Sequence, residues 1–229
     1  MKSKVLSLLF FLAAACSAIS AQNVVHHLKG EDLQQYLLDS VKFVVPEFQS
    51  GIVNFKDGSY SRGPVNISTI EQRVYFINDA GEHQVLANED DVNRVSIKGR
   101  SFVKSRYGYV ELLQVLDEVV LGAVRQVSFF ETEKKGAFGT TSQTTSVTTI
   151  GNVYGNGVTY TLSVDRDTPF KYKVLPYLYK NNRVLLSNKK NFLKCFPDKK
   201  ERIEDYLKAH SVDFERLKDV TALFEALKD

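Results

Sequence analysis

Between residues 51 and 103, apolar and polar residues alternate in short runs, and glycine-containing turns separate the runs. Residues 51–56 (GIVNFK) are followed by Asp57-Gly58 and then by 59–68. Residues 72–77 (QRVYFI) are followed by Asn78-Asp79-Ala80-Gly81 and then by 82–87. A period of two places every second side chain on the same face of a strand. Asp-Gly between two such runs predicts a hairpin with a type I′ turn, in which both central residues need φ > 0. Val53 with Phe55, Val74 with Phe76, His83 with Val85, and Val95 with Ile97 mark the inward rows. One apolar row per strand predicts an antiparallel sheet with one packed face and one wet face.

The rest of the chain is arranged around this stretch. Residues 24–27 read as a loosely attached leader and 31–39 as a short helix, with Leu33, Tyr36 and Leu37 on one face. Residues 41–45 form an apolar run that Pro46 ends, as a buried strand would. Residues 109–131 predict two strands, 109–116 and 119–131, about a turn at Asp117-Glu118; one helix over 111–124 is the alternative. Residues 139–161 are rich in Thr, Ser and Gly and carry no charge, which suits a loop. Beyond Pro169 the composition turns basic. Ser187 is placed to cap a helix over 188–196, Asp198 with Glu201 to open one that runs to His210, and Asp219 to cap a last helix. The fold class predicted is mainly β (α+β): an antiparallel meander or rolled sheet with a helical C-terminal segment. The divisions are a signal peptide over 1–21, a leader and short helix over 22–40, a β domain over 41–170, and a basic, helical segment over 171–229.

The first 21 residues set an address. Lys2 and Lys4 precede an apolar run over 5–15, and small residues follow. Eleven apolar residues fit the core of a signal peptide and are too few to span a bilayer. Cleavage after Ala21 would leave Gln22 first; Ala13-Ala14-Ala15-Cys16 offers the other end, with Cys16 lipidated. Either way the expectation is export to the periplasm or outer surface, with no transmembrane span in the mature chain. Removing 1–21 takes two Lys from 30 basic residues, leaving 28 against 27 acids. A nearly balanced chain gives no reason to expect a nucleic-acid partner. Cys195 then remains as a lone thiol, which no internal disulfide can use, and reads as a small buried hydrophobe.

Catalytic motifs are scarce. The four histidines, His26, His27, His83 and His210, form no H-E-x-x-H, and neither C-x-x-C nor G-x-S-x-G occurs. Gly151, Gly155 and Gly157 do not match phosphate-loop spacings. No cofactor or metal is expected. The stretch 171–200 is the one with binding character: nine Lys or Arg against one acid, Asp198, interleaved with Tyr172, Tyr177, Tyr179, Phe192 and Phe196. Its basic residues Lys171, Lys173, Lys180, Arg183, Lys189, Lys190 and Lys194 are candidates for contact with an anionic surface. The competing expectation is internal neutralisation by the acids Glu89, Asp90 and Asp91.

Phe48-Gln49-Ser50-Gly51-Ile52-Val53-Asn54-Phe55-Lys56-Asp57-Gly58-Ser59, with Gly63-Pro64-Val65-Asn66, Val74-Tyr75-Phe76-Ile77 and Val95-Ser96-Ile97, resembles uncharacterised exported proteins of Bacteroidota. These share an F-x-x-G-x-V-x-F-x-D-G-S pattern and a Lys-rich helical tail, which residues 189–229 resemble; Ile67 stands where their strand has Tyr. The resemblance implies an exported, β-rich fold and assigns no particular activity. Two functions are therefore carried forward. One is a non-catalytic binding or assembly module meeting an envelope protein, glycan or anionic lipid. The other is a hydrolase of an envelope polymer that uses turn-borne carboxylates among Asp57, Glu82, Asp90 and Asp91.

Overall fold

In the computed structural model, residues 23–25, 36–130, 134–135, 141–142, 149–150 and 168–228 are described. The elements in chain order are β1 (Asn23–Val25), α1 (Asp39–Lys42), β2 (Gln49–Phe55), β3 (Tyr60–Ile67), β4 (Val74–Ile77), β5 (His83–Val85), β6 (Val92–Ile97), β7 (Arg100–Ser105), β8 (Gly108–Leu116) and β9 (Val119–Phe130). After these come β10 (Lys134–Lys135), β11 (Thr141–Ser142), β12 (Thr149–Ile150), β13 (Thr168–Lys180), β14 (Arg183–Leu186), α2 (Lys189–Cys195), α3 (Lys200–Ala209) and α4 (Leu217–Ala226). One twelve-stranded sheet holds all but β10 and β11, in the order β1-β13-β9-β8-β7-β6-β2-β3-β4-β5, with β12 beside β9 and β14 beside β13. Every pairing is antiparallel. The chain is mainly β with a helical C-terminal end, as its alternation predicts.

The sheet rolls because the turn between β3 and β4 folds back onto β8 and β9. Val127 donates its N–H to the Thr69 carbonyl at 3.0 Å. Gln72 takes a left-handed φ of 55°. Its amide donates to the Thr69 and Arg125 carbonyls and accepts from the Tyr109 N–H. Inside the roll, Val53, Val65, Ile67, Val74, Val95, Ile97, Phe102 and Tyr109 form one core. A second core lies where α2, α3 and α4 cover the β9–β13 hairpin. There Val119, Leu121 and Leu178 meet Phe192, Cys195, Phe196, Ile203, Val220, Leu223, Phe224 and Leu227.

Several local expectations are corrected. Residues 41–45 are not a strand: α1 ends at Lys42, and Phe43 makes one bridge to Ser68. The only α-helix here, α1, shares just Asp39 with the helix expected over 31–39, of which 31–35 lie outside the described residues. At Asp57-Gly58 only Gly58 has positive φ, and the Asp57 carboxylate accepts from the Ser59 N–H instead. The type I′ signature, two left-handed central residues, falls at Lys98-Gly99 and Asn181-Asn182. Residues 168–186 are strands β13 and β14, so the boundary at 170 falls inside a strand and the segment 171–229 is helical only from Lys189. β8 and β9 are the two strands expected over 109–131. Asn188, not Ser187, caps α2 by accepting from the Asn191 N–H. Asp198 lies in a 3-10 turn before α3, which has no side-chain cap. Asp219 lies inside α4 and accepts from the Asp213 N–H.

Candidate functional site

The acidic residues split into three groups. Asp57 and Asp91 line one cleft of about 310 Å³, with Phe55, Ser59 and Asn88. The Ser59 hydroxyl and N–H both donate to the Asp57 carboxylate and hold it below its ordinary range. A general acid needs the opposite shift, so Asp57 is suited to accepting hydrogen bonds from a ligand rather than to giving up a proton. Glu82 and Asp90 do not join this cleft. Glu82 accepts from the Asn78 side chain in the turn between β4 and β5, and Asp90 meets Lys104 at 3.2 Å. Glu89 is buried, with its carboxylate on the Val74 N–H and Arg73 at 3.5 Å. Burial pushes its carboxyl above the ordinary range despite these partners.

Glu111 carries the third acidic centre. On β8 it faces the same side as Phe102 and Ala123, with which it is in register. Arg100 grips it at 2.5 and 2.9 Å and also donates to the Val44 carbonyl at 2.7 Å. Arg125 donates to the same carboxylate. This triad, a buried carboxylate held by two half-buried arginines, pins the 43–45 segment to the sheet. It is a structural clamp that alternation alone does not reveal, because each member occupies an apolar-phase position.

The basic candidates scatter over three elements. Lys171 and Lys173 lie on β13, Lys180 ends it, Arg183 opens β14, and Lys189, Lys190 and Lys194 lie on α2. Lys180 is engaged, donating to the Cys195 carbonyl at 3.0 Å and facing Glu118 at 3.9 Å. Lys171, Arg183, Lys189, Lys190 and Lys194 are exposed, Lys173 is half-buried, and none of the six has an ion pair among the described residues. The acids expected to neutralise them are served from elsewhere: Lys104 and Arg73 approach Glu89, and Lys104 also approaches Asp90. Internal neutralisation of this stretch by the 89–91 turn is therefore overturned.

The remaining candidates are accounted for structurally. His83 stacks on Phe48 at 4.2 Å and His210 on Tyr206 at 4.2 Å, while His26 and His27 lie outside the described residues. Cys195 is free and buried in the second core. Among the described residues no group of three His, Cys, Asp or Glu could hold a metal ion, and no helix is long and apolar enough to cross a membrane. Arg106, which the basic run did not include, is exposed and lies over the Tyr107 ring at 4.7 Å. The Thr/Ser/Gly-rich segment 139–161 falls outside the described residues apart from β11 and β12. Compared with models of known families, with curated proteins and with solved structures, the chain matches none.

Proposed function

We propose that the protein is a non-catalytic binding module of the cell envelope, exported by its N-terminal segment, that docks on an anionic envelope surface. The observation that carries this reading is the set of cations Lys171, Lys173, Arg183, Lys189, Lys190 and Lys194, which have no ion pair among the described residues, while Glu89 and Asp90 are met by Arg73 and Lys104. Each basic residue near an anionic membrane surface contributes about 1 kcal/mol, so the cations on one side of the molecule support weak, reversible docking. Exposed charges are screened over about 8–10 Å at physiological salt, so binding must weaken steeply as salt rises. Co-sedimentation with phosphatidylglycerol-containing vesicles at low and physiological salt tests it. Binding at low salt that falls at least about tenfold supports the reading; an empty pellet at low salt overturns it.

A second reading, hydrolysis of an envelope polymer, is favoured by the meeting of Asp57 and Asp91 in one cleft. Turnover of cell-wall polymer that disappears in Asp57→Asn and Asp91→Asn variants would install it in place of the first.

A further inference from the structure

β2, β3 and β6 turn Val53, Val65, Val95 and Ile97 into the roll, so the residues that alternate with these face outward. The register sets Tyr60, Asn54 and Arg94 in one outward row across the three strands, and Arg62, Ile52 and Ser96 in the next. Tyr60 is 62% exposed, and the Arg62 guanidinium lies 5.4 Å from the centre of its ring. Arg62 and Arg94 are both exposed, and neither has an ion pair among the described residues. No acid stands at the outward positions 50, 52, 54, 60, 62, 64, 94 or 96. Asp57 and Asp91 lie beyond the Tyr60 end, in the cleft at the turn.

The spacing suits a chain of rings that carries anions. Neighbouring strands lie about 4.8 Å apart, so Tyr60 and Arg94 stand about 10 Å apart with the Asn54 amide between them. A guanidinium stays charged and pairs with a carboxylate through two parallel hydrogen bonds. The C–H face of a sugar ring is apolar and packs on an exposed aromatic ring, while an amide can donate to and accept from its hydroxyls. Tyrosine and arginine are also the residues that most often anchor an interface. The one branched aliphatic side chain in the two rows, Ile52, is half-buried, so insertion into hydrocarbon has little to gain here.

We propose that this face binds an acidic glycan, a polymer of sugar rings bearing carboxylates. Tyr60 stacks on one ring, Asn54 serves its hydroxyls, and Arg62 and Arg94 hold the carboxylates. These residues are distinct from the cations on β13, β14 and α2 that carry the anionic-surface reading. Single-stranded nucleic acid suits the same side chains, and the choice of a glycan over it rests on the export proposed above.

Affinity electrophoresis through gels containing polygalacturonate tests it, with neutral dextran and a single-stranded oligonucleotide as the other ligands. Retardation by polygalacturonate alone is expected. Tyr60→Ala should weaken it about tenfold and Tyr60→Phe leave it unchanged, since the ring and not the hydroxyl makes the contact. Arg62→Gln and Arg94→Gln should each weaken it about fivefold. Tyr36→Ala, which removes an exposed ring elsewhere, should have no effect, and circular dichroism should be the same for every variant. No retardation of the wild type by polygalacturonate, or full retardation of Tyr60→Ala, Arg62→Gln and Arg94→Gln alike, overturns the inference and leaves the vesicle-docking reading standing. Tighter binding of the oligonucleotide than of the polyuronate overturns it in favour of a nucleic acid. The two arginine variants should sediment with phosphatidylglycerol vesicles as the wild type does; a loss there would merge this face with the anionic-surface reading and overturn a separate site. An empty vesicle pellet with polygalacturonate binding intact supports the glycan site and removes only that other reading.

Discussion

Two buried glutamates on neighbouring strands and turns respond to acid in opposite senses. At Glu111, burial works to raise the carboxyl, but Arg100 and Arg125 outweigh it and leave the group below its ordinary range. A depressed folded value means the carboxylate stabilises the fold above the ordinary glutamate range, and that this is lost as pH falls through the lowered value. Breaking a buried pair leaves uncompensated charge, here two arginines that are each about a quarter exposed. Glu111→Gln is therefore expected to cost about 3 kcal/mol near neutral pH, and less in acid, by denaturant unfolding. Glu89 carries the reverse sign. Burial raises its carboxyl, so its contribution is present below the ordinary glutamate range and is lost as pH rises through the raised value. Glu89→Gln keeps an oxygen for the Val74 N–H and is expected to be at least as stable as the wild type near neutral pH. Equal losses in both variants would mean that neither glutamate's environment governs its titration.

Among the elements, β2 is an inner strand, paired with β3 on one side and β6 on the other. At Gly51 a Cβ would stand 2.4 Å from a Val65 methyl and 2.6 Å from the Ser96 carbonyl, with no room to retreat. Gly51→Ala is expected to lose about 1–3 kcal/mol by overpacking, while Gly63→Ala on β3, which meets nothing within 4 Å, should be near neutral. Urea melts of the two variants measure the difference. The strands around β2 were legible in the sequence because each keeps its apolar period within a few residues. Turn type was less legible: Asp57 satisfies its own turn by bonding Ser59, so the Asp-Gly signal at that site carried a different geometry. In sequence, β13 reads as the start of a basic, helical segment because its lysines give the composition of a solvated face. Its ten-residue register with β9 joins positions some fifty apart, which no local pattern encodes. The clamp on Glu111 was hidden for the same reason, since Arg100, Glu111 and Arg125 meet only when β7, β8 and β9 are aligned.

At the scale of the molecule, two of the four buried clusters divide one set of strands between them. The roll uses the inner residues of β8, and the helical layer uses the far end of β9 and β13, so Val119 and Leu121 belong to one core and Phe102 and Tyr109 to the other. Cys195 gives this architecture a clock. It is 3% exposed, at the end of α2 in the core the helices share with the sheet, and burial holds its thiol above the ordinary cysteine range. Such a sulfur meets a disulfide reagent only while the helical layer is lifted, so its modification rate counts those liftings. In a chain beginning at Gln22 it is the sole thiol, and no label need be introduced. Modification is expected to be slow in buffer and to quicken with denaturant well before the sheet unfolds by circular dichroism. A rate matching the unfolded chain in plain buffer would mean that the helices spend much of their time apart from the strands they cover.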